Sequence, residues 1–307
     1  MKHNKAFKFG IEIEMGVPYG ANKDSSELQD DIESLGCNLT TDGSLSFDGF
    51  DAWEVTTNPL GYNQMKRTIN KLGRYLTSIE ATANKSCGLH IHASNKRFFQ
   101  RKNLLRITQF WLAIEDVLFA TQPVSRLQNH YCQRLLARMV SGKMYDKLPQ
   151  MKEDIIDEAR ETDRYCAFNI NALSKHGTLE VRLFAGTVNA QKINAYLELI
   201  RAIYNYCLTS YDPKIVQELF NESISQTKIN KVWGLLGLSV KTKKLLNSRI
   251  EKNLFATLGL QQVSAVKYTK VQPKLLKAKA KYEKYMHDYN EVQDSTQGYL
   301  DAFSRSY

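Results

Sequence analysis

Three short stretches of this 307-residue chain set pairs of ionisable side chains on alternate positions, and a fourth adds one more. FGIEIE carries Glu12 and Glu14, GLHIH carries His90 and His92, TLEVRLF carries Glu180 and Arg182, and WEVTTNP carries Glu54. A period of two is the strand period, so the members of each pair share one face of a sheet. Ile11, Ile13, Leu179, Val181 and Leu183 then point the other way, and Glu54 lies opposite Trp53 and Val55. One such strand reads as the wet side of a half-solvated sheet. A wet face, however, ordinarily favours threonine and mixed polar residues. Here Glu, His and Arg recur, the types that bind metals and phosphates.

Clustered carboxylates repel, and each needs an opposing charge or it tends to hold a proton. Four glutamates converging on one cradle therefore imply bound cations. Oxygen donors with one imidazole suit Mg²⁺ or Mn²⁺, whereas two histidines and a carboxylate suit Zn²⁺. Arg182 has a planar fork that matches phosphate or carboxylate, and a plain ion pair with Glu180 is its competing use. No phosphate-binding loop is legible, because Ser141-Gly142-Lys143 lacks both the upstream glycine and the following hydroxyl residue.

The elements that must position these residues follow from periodicity and turn chemistry. Residues 6–16 read as a strand, 27–36 as a short helix stopped by Gly36, and TTDGSLSFDGFDAWEVTTNP as a hairpin with Asp-Gly turns at 42–43 and 48–49. Residues 62–81 carry a helical period through Met65, Ile69, Leu72 and Leu76, and strand 88–93 follows. A helical stretch over about 100–162 leads to strands at 165–173 and 178–185 around a His176-Gly177 turn, then to a helix over 189–208. Hairpins joined by helices predict an α+β fold with a mainly antiparallel sheet. The division expected is a catalytic domain over 1–212, with a helical insertion at about 100–162, and a basic helical appendage over 213–307.

With 43% hydrophobic residues the chain can bury a sizeable core. No apolar run is long enough for a membrane span, and no leader-like segment opens the chain. The odd set of five cysteines has no CxxC spacing and predicts reduced thiols in a cytoplasmic protein. Charge is uneven. Residues 1–212 hold 26 Lys+Arg against 24 Asp+Glu, and residues 213–307 hold 16 against 8. Tyr268, Tyr282 and Tyr285 are interleaved with the lysines, so the appendage is a candidate partner surface for nucleic acid or another polyanion. A solvated helix face gives the same composition, and Val232, Leu235, Leu236, Leu238, Leu245 and Leu246 predict partly buried helices there.

FGIEIE, TDGSL followed by WEVTTNP, CGLHIH, and RYCAFNIN running into TLEVRLFAGTVN together resemble the amidoligase family, within the glutamine-synthetase-like carboxylate–amine ligases. The resemblance covers roughly residues 7–208 and not the tail. It implies an antiparallel sheet curved into a cradle that holds ATP and Mg²⁺ against its polar face. It further implies Glu12, Glu14, Glu54, His90 and Glu180 as metal ligands, and Arg182 as the contact to the γ-phosphate or acyl phosphate. Asp42 and Ser44 match a position near the acceptor, where Asp42 would hold the incoming ammonium group and take its proton. Arg164 and Asn169 match an R-Y-x-A-x-N pattern that would bind nucleotide or acyl substrate, and His92 would serve the substrate or support the ligands. The implied reaction phosphorylates a carboxylate and then joins it to an amine, the identities of both being open. The competing enzyme is a zinc hydrolase using His90, His92 and a glutamate. The competing non-enzyme is a nucleic-acid-binding protein acting through the basic appendage.

Overall fold

The computed structural model describes residues 7–19, 24–127, 129–135 and 164–253. Its elements in chain order are β1 (Lys8–Pro18), α1 (Ser25–Ser34), β2 (Cys37–Thr41), β3 (Phe50–Thr57), β4 (Leu60–Gly61), α2 (Tyr62–Ser78), β5 (Gly88–Ser94), α3 (Arg101–Ala120) and α4 (Val124–Leu127). β6 (Phe168–Asn169), α5 (Ala172–His176), β7 (Leu179–Ala185), α6 (Ala190–Thr209), α7 (Pro213–Asn221) and α8 (Gln226–Leu236) follow. A last helix, α9, occupies 240–253.

The strands form one sheet in the order β2-β3-β1-β5-β7-β6, with β4 beside the start of β1. Every ladder in it is antiparallel, and the sheet is curved and unclosed. The first strand of the chain is therefore a central strand. Its alternation decides which side is dry: Phe9, Ile11, Ile13 and Met15 are at most 1% exposed and join the core. Met65, Ile69, Leu72 and Leu76 of α2 enter the same core at the predicted helical spacing. α3 and α6 complete the helical layer, α6 stacking Tyr196 on Phe184 of β7 at 4.1 Å between ring centroids. Close contact between α2 and α6 depends on Gly73, where a Cβ would come within 2.8 Å of Ala190 Cβ. The opposite face of the sheet is left to the ionisable residues.

Two local expectations are corrected. Residues 165–173 are strand only at Phe168–Asn169; Ala172–His176 is a short helix that closes on Gly177 at φ +65°. Its alternation was too short to separate a strand from one helical turn, and Ala172 and Leu173 are buried either way. α2 also stops three residues early, its chain leaving the helix at Ile79 with Glu80 at φ 54°.

Helices α7, α8 and α9 are packed, not free. Val216, Leu219, Val232, Trp233, Leu236, Leu246 and Ile250 lie in the same core as the sheet. Lys228, buried in α8, is neutralised by Asp116 Oδ2 of α3 at 2.8 Å and also donates to the Glu222 carbonyl at 2.9 Å. Residues 136–163 and 254–307, including Tyr268, Tyr282 and Tyr285, lie outside the described residues. Among the described residues all five cysteines are free thiols, and no helix is long and apolar enough to cross a membrane.

Candidate functional site

Register brings the separate motifs together. Across β1 and β3, Glu14 pairs with Glu54; across β1 and β5, Glu12 pairs with His90. Across β5 and β7, His92 pairs with Glu180, and β6 sets Asn169 opposite Glu180 on the far side. Directly paired residues share a face, so a contiguous polar field crosses five strands.

The middle of the field is a linked set of imidazoles and carboxylates. His90 Nδ1 lies 2.8 Å from Glu12 Oε2 and 3.6 Å from Glu180 Oε1, and its Nε2 lies 3.6 Å from Glu14 Oε1. His92 Nδ1 is fixed by Thr178 Oγ1 at 2.9 Å, which aims Nε2 at Glu12 Oε1, 3.0 Å away, and at Glu180 Oε1, 3.8 Å away. That Nε2 is buried yet lacks a properly aligned hydrogen bond. Asn169 Nδ2 donates to Glu180 Oε2 at 2.6 Å, and Arg182 donates to Glu180 Oε1 at 2.6 Å. Single donor atoms of Glu12, His92 and Glu180 come within 4.8 Å of one another.

A second such group lies one step along β1. Donor atoms of Glu14, Asp42 and Glu54 also come within 4.8 Å of one another. Asp42 arrives through the β2–β3 connection, which folds over this end of the face. Asn84 Nδ2 donates to the Ser46 carbonyl at 2.7 Å, and Ser86 Oγ accepts from Ser46 N at 3.2 Å. Phe47 lies flat on Gly16, where any Cβ would come within 2.5 Å of the ring. Gly88 N donates to Glu14 Oε2, and a Cβ on Gly88 would come within 2.8 Å of His90 Nε2.

The charges are unevenly compensated. Burial alone would raise the Glu12 carboxyl, but the contacts and charges of His90 and His92 outweigh it and hold it well below the usual carboxylate range. Burial would lower His92, but Glu12 and Glu180 overcome this and raise it. Glu54 has only the distant charge of His90 to help it. Burial, then repulsion from Glu12, Glu14 and Asp42, pushes it up to about 7 against a partial offset from His90.

β7 carries an irregularity that sequence alternation does not reveal. Leu89 pairs with Phe184 and Ile91 with Val181, so two steps of β5 face three of β7. The extra residue is a bulge beside the site. It places Glu180 and Arg182 on the polar field and still turns Phe184 into the core. Arg126, 3% exposed, donates to the carbonyls of Arg182 and Leu183, and buried Gln122 accepts from Ala185 N at 3.1 Å. Neither residue has a periodic signature; Gln122 serves the bulge from the turn after α3 and Arg126 from α4. Thr178 and Gly88 were also missed, although they open the motifs TLEVRLF and GLHIH.

Of the eleven residues singled out from sequence, nine lie on this field; Ser44 is exposed in the 42–49 connection, its N donating to Asp42 Oδ1 at 2.8 Å. Arg164 does not lie on it either: it is exposed, with its guanidinium 4.9 Å from the Tyr165 ring and one nitrogen 3.0 Å from the Tyr165 hydroxyl. Two three-donor groups of carboxylate and imidazole, one including a buried nitrogen without an aligned partner, suit divalent cations.

No curated protein is recognisably similar to the chain. The family described as "Putative amidoligase enzyme" matches residues 22–204, which is most of the sheet and the helices that cover it. The motifs, their order and this match place the chain in the amidoligase family.

Proposed function

We propose that the protein is an ATP- and Mg²⁺-dependent ligase that joins a carboxylate to an amine through an acyl phosphate. The observation that carries this reading is the pair of three-donor groups side by side on the polar field, with Arg182 at its rim, in a chain of the amidoligase family. Glu12, His92 and Glu180 would hold one cation, and Glu14, Asp42 and Glu54 a second. Asp42 thereby moves from proton acceptor to ligand. His90, spanning Glu12 and Glu14, positions both groups, and His92 takes the ligand role first expected of His90. Bound magnesium would neutralise charge on the phosphoryl oxygens.

The chain's own residues divide the remaining work. Arg182, oriented by its ion pair with Glu180 at 2.6 Å, offers its free nitrogen positions to the phosphoryl group transferred to the carboxylate. Asn169 holds the other oxygen of Glu180. Phe47 and the 42–49 connection wall off one end of the field, limiting water at the activated acyl group. The amine then displaces phosphate and releases a proton.

The test is thermal unfolding with Mg²⁺ and a non-hydrolysable ATP analogue, for wild type and Glu12→Ala. A magnesium-dependent rise in wild type that the variant lacks supports the reading, and ADP release in a screen of amines and carboxylates completes it. Stoichiometric zinc with no ADP release would favour the hydrolase, since one histidine and two glutamates also suit Zn²⁺.

A further inference from the structure

We infer that Asn169 is the seat of the attacking amine, its side-chain oxygen Oδ1 accepting one N–H of the nucleophile. The inference rests on the ligase reading above and supplies the amine contact that Asp42 gives up by joining a donor group. Among the described residues, two buried polar atoms of the field lack an aligned hydrogen bond, His92 Nε2 and Asn169 Oδ1. They belong to residues paired with Glu180 from opposite sides. His92 Nε2 faces Glu12 within one of the donor groups, so a cation held there satisfies it. Asn169 Oδ1 has no such prospect, although Asn169 is only 4% exposed. A buried carbonyl oxygen without a donor is costly to a fold, and one kept beside a site points to a ligand that supplies the donor.

The amide cannot be turned round to relieve this. Its Nδ2 donates to Glu180 Oε2 at 2.6 Å, and a carboxylate accepts only from the nitrogen end of an amide. Glu180 turns its other oxygen, Oε1, to His90, His92 and Arg182, at 3.6, 3.8 and 2.6 Å. The cation group therefore lies on the Oε1 side and Asn169 on the Oε2 side, which leaves Oδ1 for a donor other than a metal. Ionised phosphate and carboxylate groups only accept, so neither the acyl substrate nor the transferred phosphoryl group can serve. The nucleoside has donors, but they lie beyond the rest of the triphosphate from the phosphoryl group at Arg182. The amine remains. Oδ1 is itself covered, so its partner must be small: ammonia, or the head of a primary amine entering past Arg182, whose side chain is 20% exposed. An amide oxygen takes a hydrogen bond without taking the proton, so the nitrogen stays uncharged with its lone pair free. That nitrogen forms the C–N bond while the C–O bond to phosphate breaks. The electron pair goes to the phosphate, and the proton lost by the amine leaves on it.

The experiment titrates hydroxylamine, an N–H donor that is uncharged near neutral pH, against the full chain at saturating Mg²⁺ and non-hydrolysable ATP analogue. The thermal unfolding midpoint reports its affinity for wild type, Asn169→Ala and Asn169→Asp. Hydroxylamine should bind Asn169→Ala about ten-fold more weakly than wild type, the loss expected of one hydrogen bond. Asn169→Asp should stay within about two-fold of wild type, because aspartate keeps an accepting oxygen where Oδ1 stands. Both variants lose the amide donor to Glu180, so a residue that only tethers Glu180 would make them behave alike, and that result overturns the seat. Asn169→Gln keeps the amide but moves its oxygen by one methylene; it carries the same expectation as the alanine variant and serves if that variant folds poorly. Hydroxylamine affinity at the wild-type level in Asn169→Ala overturns the seat, as does a wild type that responds to nucleotide but not to hydroxylamine; the ligase reading then stands. Nucleotide affinity that falls in Asn169→Ala while tripolyphosphate affinity holds gives Oδ1 to the nucleoside and also overturns the seat. A wild type that responds to neither nucleotide nor hydroxylamine overturns the seat and the ligase reading together.

Discussion

Glu12 and His90 face each other across the β1–β5 ladder with Nδ1 2.8 Å from Oε2, and the same carboxylate reaches toward His92 at 3.0 Å. One glutamate thus organises both histidines, and its substitution has two separable effects. Glu12→Gln keeps the shape and removes the charge. Cation affinity should fall by about 100-fold or more, above the range seen when only a supporting group is lost. Calorimetric titration with Mg²⁺ and Mn²⁺ checks this; unchanged affinity would remove Glu12 from the ligand set.

Glu54 makes the pH behaviour of the metal-free protein specific. Its folded pKa of about 7 lies above the ordinary 4.5, so the native state binds the extra proton between those values. Stability from this group is fully present below pH 4.5 and is lost as pH rises through 7. The loss is about 1–2 kcal/mol after allowance for partial exposure. Glu12, shifted down, and His92, shifted up, titrate with other signs, so the difference between wild type and Glu54→Gln isolates the effect. Denaturant midpoints from pH 5 to 8 should converge at the acid end and separate at the basic end, with the variant the more stable there. Saturating Mg²⁺ should flatten the wild-type slope.

Gly88→Ala probes the space the two groups share. The added Cβ would meet His90 Nε2 at 2.8 Å and Glu14 Oε2 at 3.4 Å, so the imidazole must turn. Cation affinity should drop about ten-fold. Stability without metal should also fall, by about 1–3 kcal/mol, because His90 is buried among Glu12, Glu14 and Glu180 and must shift to admit the methyl group. Parallel metal titration and unfolding separate the two quantities; a large stability loss with intact affinity would contradict the placement.

Arg126→Ala should behave differently. It leaves the carbonyls of Arg182 and Leu183 buried without their donor, at a cost of about 2–4 kcal/mol. It also frees β7 to relax its bulge, so binding of tripolyphosphate should weaken even though Arg126 touches no ligand. Binding that stays at the wild-type level in the folded fraction would show that β7 holds its bulge unaided.

Much of the polar field was legible because it is written in strand periodicity. Ile11 and Ile13 against Glu12 and Glu14 fix which side of β1 is dry, and no tertiary information is needed for that. Register was not legible. That Glu12 meets His90, and His92 meets Glu180, depends on strand pairings up to 88 residues apart in the chain. In the sequence His90 reads as the metal ligand and His92 as a substrate or supporting group; that Thr178 fixes one ring nitrogen of His92 and aims the other at Glu12 was not legible there. Asp42 read as an Asp-Gly turn residue and as the holder of the incoming ammonium group, not as a neighbour of Glu14 and Glu54, because those two reach it only once the connection folds back. The strand expected at 165–173 failed for want of length, since nine residues held a two-residue strand and a helical turn. Arg126 and Gln122 were invisible because their partners are backbone atoms of a bulge.

The central position of β1 has a consequence for what the site can vary. Glu12 belongs to one donor group and Glu14 to the other, and they are separated by a single pleat repeat, about 6.8 Å of strand. That interval is a ruler embedded in the most heavily paired strand of the sheet. It cannot be lengthened or shortened without changing the register on both sides at once. Adaptation to a new substrate must therefore happen at the margins, in the 42–49 connection and along the β6 edge, where backbone is free to be rebuilt. The middle of the molecule keeps time for the chemistry while its borders choose the molecules.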